Sequence, residues 1–155
     1  MVPIAGKRKA NGFTLIELVI TVAVAVVLAT VAVPGFQGLV MNNRQVADFN
    51  EILAGINYGR SEAVKRRQPV SIAITDNGGV WRLEVLHSGN VIREIVARHD
   101  RTSVTGKSIQ FNSLERRSFC LDESGSFDDE CAITVGDGFG DIIIHPSGRI
   151  ERRPN

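Results

Sequence analysis

The sequence predicts an α+β protein in which one long helix on the amino-terminal side packs on an antiparallel β-sheet domain on the carboxyl-terminal side. Three observations carry this expectation. An uncharged run from Leu18 to Val40 follows the basic cluster Lys7-Arg8-Lys9. Val46, Phe49, Ile52, Leu53, Ile56, Ala63 and Val64 then recur at the three- and four-residue spacings of an amphipathic helix. After Pro69 the apolar period drops to two, in short runs separated by turn clusters.

The first element is a membrane crossing. Phe13 to Val33 is 21 residues, which at about 1.5 Å per residue just spans a hydrocarbon layer of roughly 30 Å. Lys7, Arg8 and Lys9 hold the short amino-terminal segment in the cytoplasm by the positive-inside rule, which sends the bulk of the chain to the periplasm or an equivalent outer compartment. An ordinary secretory signal has its small-residue cleavage site after the apolar region; here Gly12 lies before it, so the apolar segment survives a cut at that point. Residues 1–12 therefore read as a leader, 13–40 as the transmembrane helix, 41–68 as its amphipathic continuation and 69–155 as a β domain outside the cytoplasm. As one helix, Phe13 to Arg67 would be roughly 80 Å long, with a bend expected near Pro34 and loosening at Gly35 and Gly38.

Glu17 is the residue in the apolar stretch that needs a reason. An acid at the bilayer centre costs about 2.5 to 3.5 kcal/mol on insertion scales, less near an interface. It can snorkel to the headgroups, or pair with an amine that cleavage after Gly12 would create at Phe13, one helical turn away, on its own chain or on a neighbour.

Gly12-Phe13-Thr14-Leu15-Ile16-Glu17, the uncharged run behind it and Pro34, twenty-second counting from Phe13, resemble the type IV prepilins and the pseudopilins of type II secretion. The resemblance implies the type IV pilin fold, cleavage after Gly12 by prepilin peptidase and N-methylation of Phe13. It also implies pairing of Glu17 with the Phe13 amine of a neighbouring subunit, and helix loosening at Pro34. Gly59-Arg60-Ser61-Glu62-Ala63-Val64-Lys65-Arg66, with Pro69-Val70 after it, is similar to one branch, the H-type pseudopilins and minor pilins of the GspH/FimT family. That branch implies a minor pilin in the inner membrane that joins a type IV pilus near its tip and helps initiate assembly. Its partners would be other pilin or pseudopilin subunits and prepilin peptidase. A DNA-binding minor pilin of DNA uptake and an H-type pseudopilin of protein secretion are the alternatives.

Beyond the helix, Lys65-Arg66-Arg67 oppose the macrodipole at its carboxyl end, and Glu62 is placed to pair with Arg66. Strands are expected at Val70–Ile74, Trp81–Val85, Val91–Val96, Ser108–Phe111, Arg117–Leu121, Cys131–Val135 and Asp141–His145, forming one or two antiparallel sheets on the helix. Cys120 and Cys131 close a short loop in an oxidising compartment, where a disulfide is favoured and would contribute about 3 kcal/mol. Two cysteines at this spacing with no nearby histidine pair do not suit zinc.

Nothing in the pattern points to catalysis, to a cofactor or to a metal. His87, His99 and His145 are scattered outside any metal-binding spacing. Gly106-Lys107-Ser108 lacks the first glycine of a phosphate loop, and Gly136-Asp137-Gly138-Phe139-Gly140 lacks a following helix, so these read as a turn and a flexible connection. Asp122-Glu123 and Asp128-Asp129-Glu130 lack the calcium-loop spacing and read as a solvated loop.

Charge leaves a single local case for nucleic acid. Three of the 18 basic residues precede Phe13 and no acid does, so the remainder carries 15 basic and 17 acidic residues, a net of −2. The end of the chain, Gly148-Arg149-Ile150-Glu151-Arg152-Arg153-Pro154-Asn155, partly matches the Gly-Arg-x-Arg ending of DNA-uptake members, with Glu151 in place of the second arginine. Arg149, Arg152 and Arg153 would bind double-stranded DNA as flexible cations, provided the acidic loop faces away from them.

Overall fold

The computed structural model describes residues 13–136 and 139–154. Gly12, the expected leader and Asp137-Gly138 lie outside the described residues, as does Asn155. The described residues fall into two units that divide between Val40 and Met41.

One helix, α1 (Leu15–Arg66), runs through both. It starts where Thr14 accepts a hydrogen bond from the Glu17 N–H on its hydroxyl oxygen at 3.3 Å, the geometry of a helix N-cap. Pro34 sits within the helix; its missing N–H leaves the Thr30 carbonyl without its ordinary helical donor. At the far end Glu62 accepts from Arg66 at 2.7 Å and from Lys65 at 3.2 Å.

In the second unit, the buried helix residues Asp48, Phe49, Ile52, Gly55, Ile56, Gly59, Glu62 and Ala63 fall on one face at helical spacing. That face lies on a five-stranded antiparallel sheet of order β3-β2-β1-β4-β5. Its strands are β1 (Val70–Asn77), β2 (Val80–His87), β3 (Asn90–Val96), β4 (Lys107–Phe111) and β5 (Arg117–Leu121). Strict alternation puts Val70, Ile72 and Ile74 of β1 and Trp81, Leu83 and Val85 of β2 inside. In the register Ile72 opposes both Val85 and Ile109 of β4. The close approach of helix to sheet depends on two glycines. A Cβ on Gly55 would stand 2.8 Å from Leu83 Cδ1, and one on Gly59 2.7 Å from Ile72 Cδ1.

A second sheet, of order β6-β7-β8, comprises β6 (Ala132–Val135), β7 (Gly140–Ile144) and β8 (Ile150–Arg153). β7 is buried along its whole length, the pattern of a central strand covered on both faces. Cys120 of β5 and Cys131, just ahead of β6, are joined at an S–S distance of 2.07 Å, linking the two sheets. Both sulfurs belong to buried residues. The observed strands match the expected ones within a residue or two, except that β1 runs three residues past Ile74 to Asn77 and that a further strand forms at the end of the chain. The terminal segment is not a flexible tail: it is β8, paired with β7 from Asp141↔Arg153 to Ile144↔Ile150.

Candidate assembly site

The amino-terminal half of α1 has the composition of a core and the exposure of a surface. Leu15, Ile16, Leu18, Val19, Ile20, Val22 and the apolar residues after them to Leu39 are all exposed. The helix is long and apolar enough to cross a membrane, and none of its most apolar window is buried. Thr21 and Thr30 do not break this character, because each hydroxyl donates to the carbonyl three residues back, at 2.8 and 2.7 Å. Glu17 is then the lone charge of the stretch. It sits in the first helical turn, where a carboxylate complements the partial positive charge of the exposed backbone N–H groups. Thr14-Leu15-Ile16-Glu17 has the spacing of a capping box, a signal that was legible in the sequence and was missed there. The cap bond itself uses the Glu17 backbone N–H, so the local contribution of the carboxylate is its first-turn interaction with the helix dipole.

The three arginines at the end of the chain do not form a loose cationic tail. Arg149 donates to Glu151 at 2.8 Å and lies 3.3 Å from His145 Nε2. Arg152 stacks over the rings of Phe49 and Phe139, 4.8 and 5.1 Å from their centroids, while the rings themselves meet edge to face. Arg153 bridges Glu130 at 2.7 Å and Asp141 at 3.1 Å, and these two carboxylates raise its already high pKa. The expectation that the acidic loop faces away from the tail is corrected by the Arg153–Glu130 pair. The cause is strand pairing: β8 aligned on β7 carries Arg153 beside Asp141 and to the loop ahead of β6.

The remaining sequence candidates are absorbed into the fold. Lys107 is buried and pairs with Asp128 at 2.5 Å, which lowers the Asp128 pKa. The Gly106 N–H donates to Glu123 at 2.9 Å, so this turn offers its donors to the protein itself. Asp122 accepts from the Ser124 hydroxyl and from the Ser126 and Ser124 N–H groups, which holds its pKa down. His87 contacts Gln68 at 2.7 Å and His145 contacts Glu151 at 3.2 Å. Among the described residues, no group of three or more His, Cys, Asp or Glu is placed to hold a metal ion.

A helix with an exposed apolar half and a half packed under a small disulfide-linked β domain defines a pilin-like subunit, built to assemble rather than to turn over a substrate. Residues 7–33 match the family model of the prokaryotic N-terminal methylation motif, and residues 48–149 match that of the type II transport protein GspH. The chain belongs to this GspH-type family of type IV pilin-like proteins, which are structural and not enzymes. Among its relatives, the fimbrial protein EcpC of Eikenella corrodens is 31% identical over 134 residues, covering 81% of this chain and 84% of that one. The crystal structure of the type IV minor pilin FimU of Pseudomonas aeruginosa shares the fold. Its TM-score is 0.52 at 23% identity, over 72% of this chain and 90% of that chain.

Proposed function

We propose that this minor pilin is made with residues 1–12 as a leader, cut after Gly12 by prepilin peptidase and methylated on Phe13. Residues 13–40 hold it in the inner membrane with 41–68 and 69–155 in the periplasm, until it enters a type IV pilus at or near the tip and helps start assembly. The observation that carries this reading is the exposed apolar half of α1. Such a surface is stable in lipid or against other surfaces of the same kind, and a subunit that leaves lipid must therefore pack beside neighbouring helices. Glu17, costly in lipid, gains a partner in that packing if it meets the Phe13 amine of a neighbour, and Pro34 gives the helix a place to yield.

Intact-mass measurement and amino-terminal sequencing of the membrane-bound protein test the processing step. The expected result is a methylated chain starting at Phe13. A chain starting after Ala32 or Pro34, or an unprocessed one in the soluble extract, overturns the reading.

A pseudopilin of type II secretion is the second reading, favoured by the description of the family model that matches residues 48–149. Deleting the gene separates the two: loss of pili supports the first, loss of exported proteins with pili intact supports the second. DNA uptake through Arg149, Arg152 and Arg153 has less support, because all three guanidinium groups have partners within the chain.

A further inference from the structure

Among the described residues, four buried side-chain atoms have no hydrogen-bond partner: Asp48 Oδ2, Arg60 Nε, Trp81 Nε1 and Thr102 Oγ1. Arg60 has its ion pair with Glu115. The other three belong to residues that are 3%, 0% and 0% exposed. They are a carboxylate oxygen, an indole donor and a hydroxyl, far apart in the sequence.

The fold brings them to one place. A Cβ on Gly55 would stand 2.8 Å from Leu83, and one on Gly59 3.4 Å from Val85. Four helix residues rise about 6 Å and two strand residues about 7 Å, so helix and strand keep step. The next step along β2 puts Trp81, on the same buried face as Leu83 and Val85, level with the turn 48–52 of α1. The loop after β3 closes this end. Asp76, opposite Trp81 in the register, accepts the Val104 N–H at 2.9 Å, and a Cβ on Gly79 would stand 2.7 Å from the Asp100 carbonyl oxygen. Thr102 lies between those two anchors. Its neighbour Ser103 accepts the Gly136 N–H at 2.8 Å on its carbonyl, and a Cβ on Gly136 would stand 2.7 Å from Gln45 Nε2. Gln45 precedes Asp48 by three residues, on the same side of the helix.

We propose that Asp48, Trp81 and Thr102 form a binding site for one internal water molecule. A carboxylate buried without a donor is costly, as is an indole N–H without an acceptor. A single water answers all three groups. Its oxygen accepts from the Trp81 indole and from the Thr102 hydroxyl, and it donates to Asp48 Oδ2, the usual three bonds of a buried water. A metal cation does not suit the site, because the indole presents the positive end of its N–H and supplies no lone pair. The bridged water ties helix, sheet and loop together where α1 enters the β domain. Its directional bonds hold one register of the helix, where apolar contacts alone would tolerate sliding.

Nuclear magnetic resonance of the full-length chain in detergent micelles tests the site. Trp81 is the only tryptophan, so its indole N–H gives a single signal. That signal should show a cross-peak to water of the sign that marks residence longer than about a nanosecond. Its exchange with solvent should be at least about a hundredfold slower than in the urea-unfolded chain. Asp48→Leu should abolish the cross-peak, and Asp48→Asn, which keeps one acceptor oxygen, should retain it. Thr102→Val should also retain it, since Trp81 and Asp48 still hold the water, while lowering the folded-to-unfolded ratio in urea about tenfold. The double variant Asp48→Leu/Thr102→Val should lose less than the product of the two single losses.

A protected indole N–H with no cross-peak to water overturns the proposal, because Trp81 would then bond a protein acceptor directly. A cross-peak lost in Thr102→Val but kept in Asp48→Leu also overturns it, by tracing the signal to relay through the hydroxyl proton. A rapidly exchanging indole overturns it by showing the site open to solvent. Stability that rises with sodium chloride but not with choline chloride at equal ionic strength would make Asp48 a cation ligand and overturn it as well.

Discussion

The two halves of α1 are made by one continuous helix and obey opposite rules. From Leu15 to Leu39 the apolar residues surround the helix and stay exposed; from Asp48 to Ala63 they keep to one stripe and are buried. The glycines show the same division. Nothing lies within 4 Å of a Cβ built on Gly35 or Gly38, whereas on Gly55 and Gly59 it would press into Leu83 and Ile72. The acids divide as well. Glu62 has Lys65 and Arg66 within its own chain, while the charge of Glu17 has no cation among the described residues. One half has its partners inside the fold, and the other is prepared for partners outside it.

The sharpest way to break this comparison is at Glu17. If pairing with a neighbour offsets an insertion cost of about 2.5 to 3.5 kcal/mol, Glu17→Val should insert normally yet enter fibres on the order of a hundredfold less, read by immunoblot of sheared pili. Glu17→Gln keeps a capping-box residue at this position and loses the charge, so it should show the same assembly defect without fraying the helix start. Unchanged incorporation of both variants would leave Glu17 only its interaction with the first turn of the helix.

The disulfide should matter only to the second half. Replacing Cys120 and Cys131 with Ala should cost about 3 kcal/mol in urea unfolding of the β domain, with membrane insertion unaffected. A smaller effect comes from bulk at the helix glycines. Gly59→Val should destabilise the domain by about 1 to 3 kcal/mol through overpacking against Ile72. Gly38→Ala, in open space, should gain up to about 1 kcal/mol of helix propensity.

Acid should loosen the second half at named carboxylates. Arg66 and Lys65 depress the pKa of Glu62, and Lys107 depresses that of Asp128. A depressed folded pKa contributes stability that is present above the unfolded values, 4.5 and 3.8, and lost as pH falls through the folded ones. Thermal melts should therefore drop below about pH 4, and Lys107→Met should flatten that drop. The smallest effect is expected at the end of the chain. Arg149, Arg152 and Arg153 changed together to Gln should lower the melting temperature through lost pairs with Glu130 and Asp141, and alter duplex DNA affinity little. A salt slope of about −3 that is abolished in this variant would instead show three phosphate contacts and restore the DNA reading.

Much of this protein is determined by signals within a few residues of one another. The apolar run from Leu18, the stripe from Val46 to Val64 and the alternation of Val70, Ile72 and Ile74 each state a local periodicity, and periodicity decides which element forms and which face is apolar. The family motif at Gly12 to Glu17 is equally local. Gly55 and Gly59 were present in the sequence as a four-residue repeat, but their use appears only when Leu83 and Ile72 arrive from strands that follow much later. From sequence alone the basic ending reads as a flexible tail, because its partners are far away in the chain. Phe49 lies in the helix, Glu130 in the disulfide loop and Asp141 in β7, and only the pairing of β8 with β7 brings Arg152 and Arg153 to them. Local spacing decides what an element is. Which charges remain available to a partner depends on long-range contacts, because a guanidinium already held by a carboxylate or a ring within its own chain has lost most of its call on another.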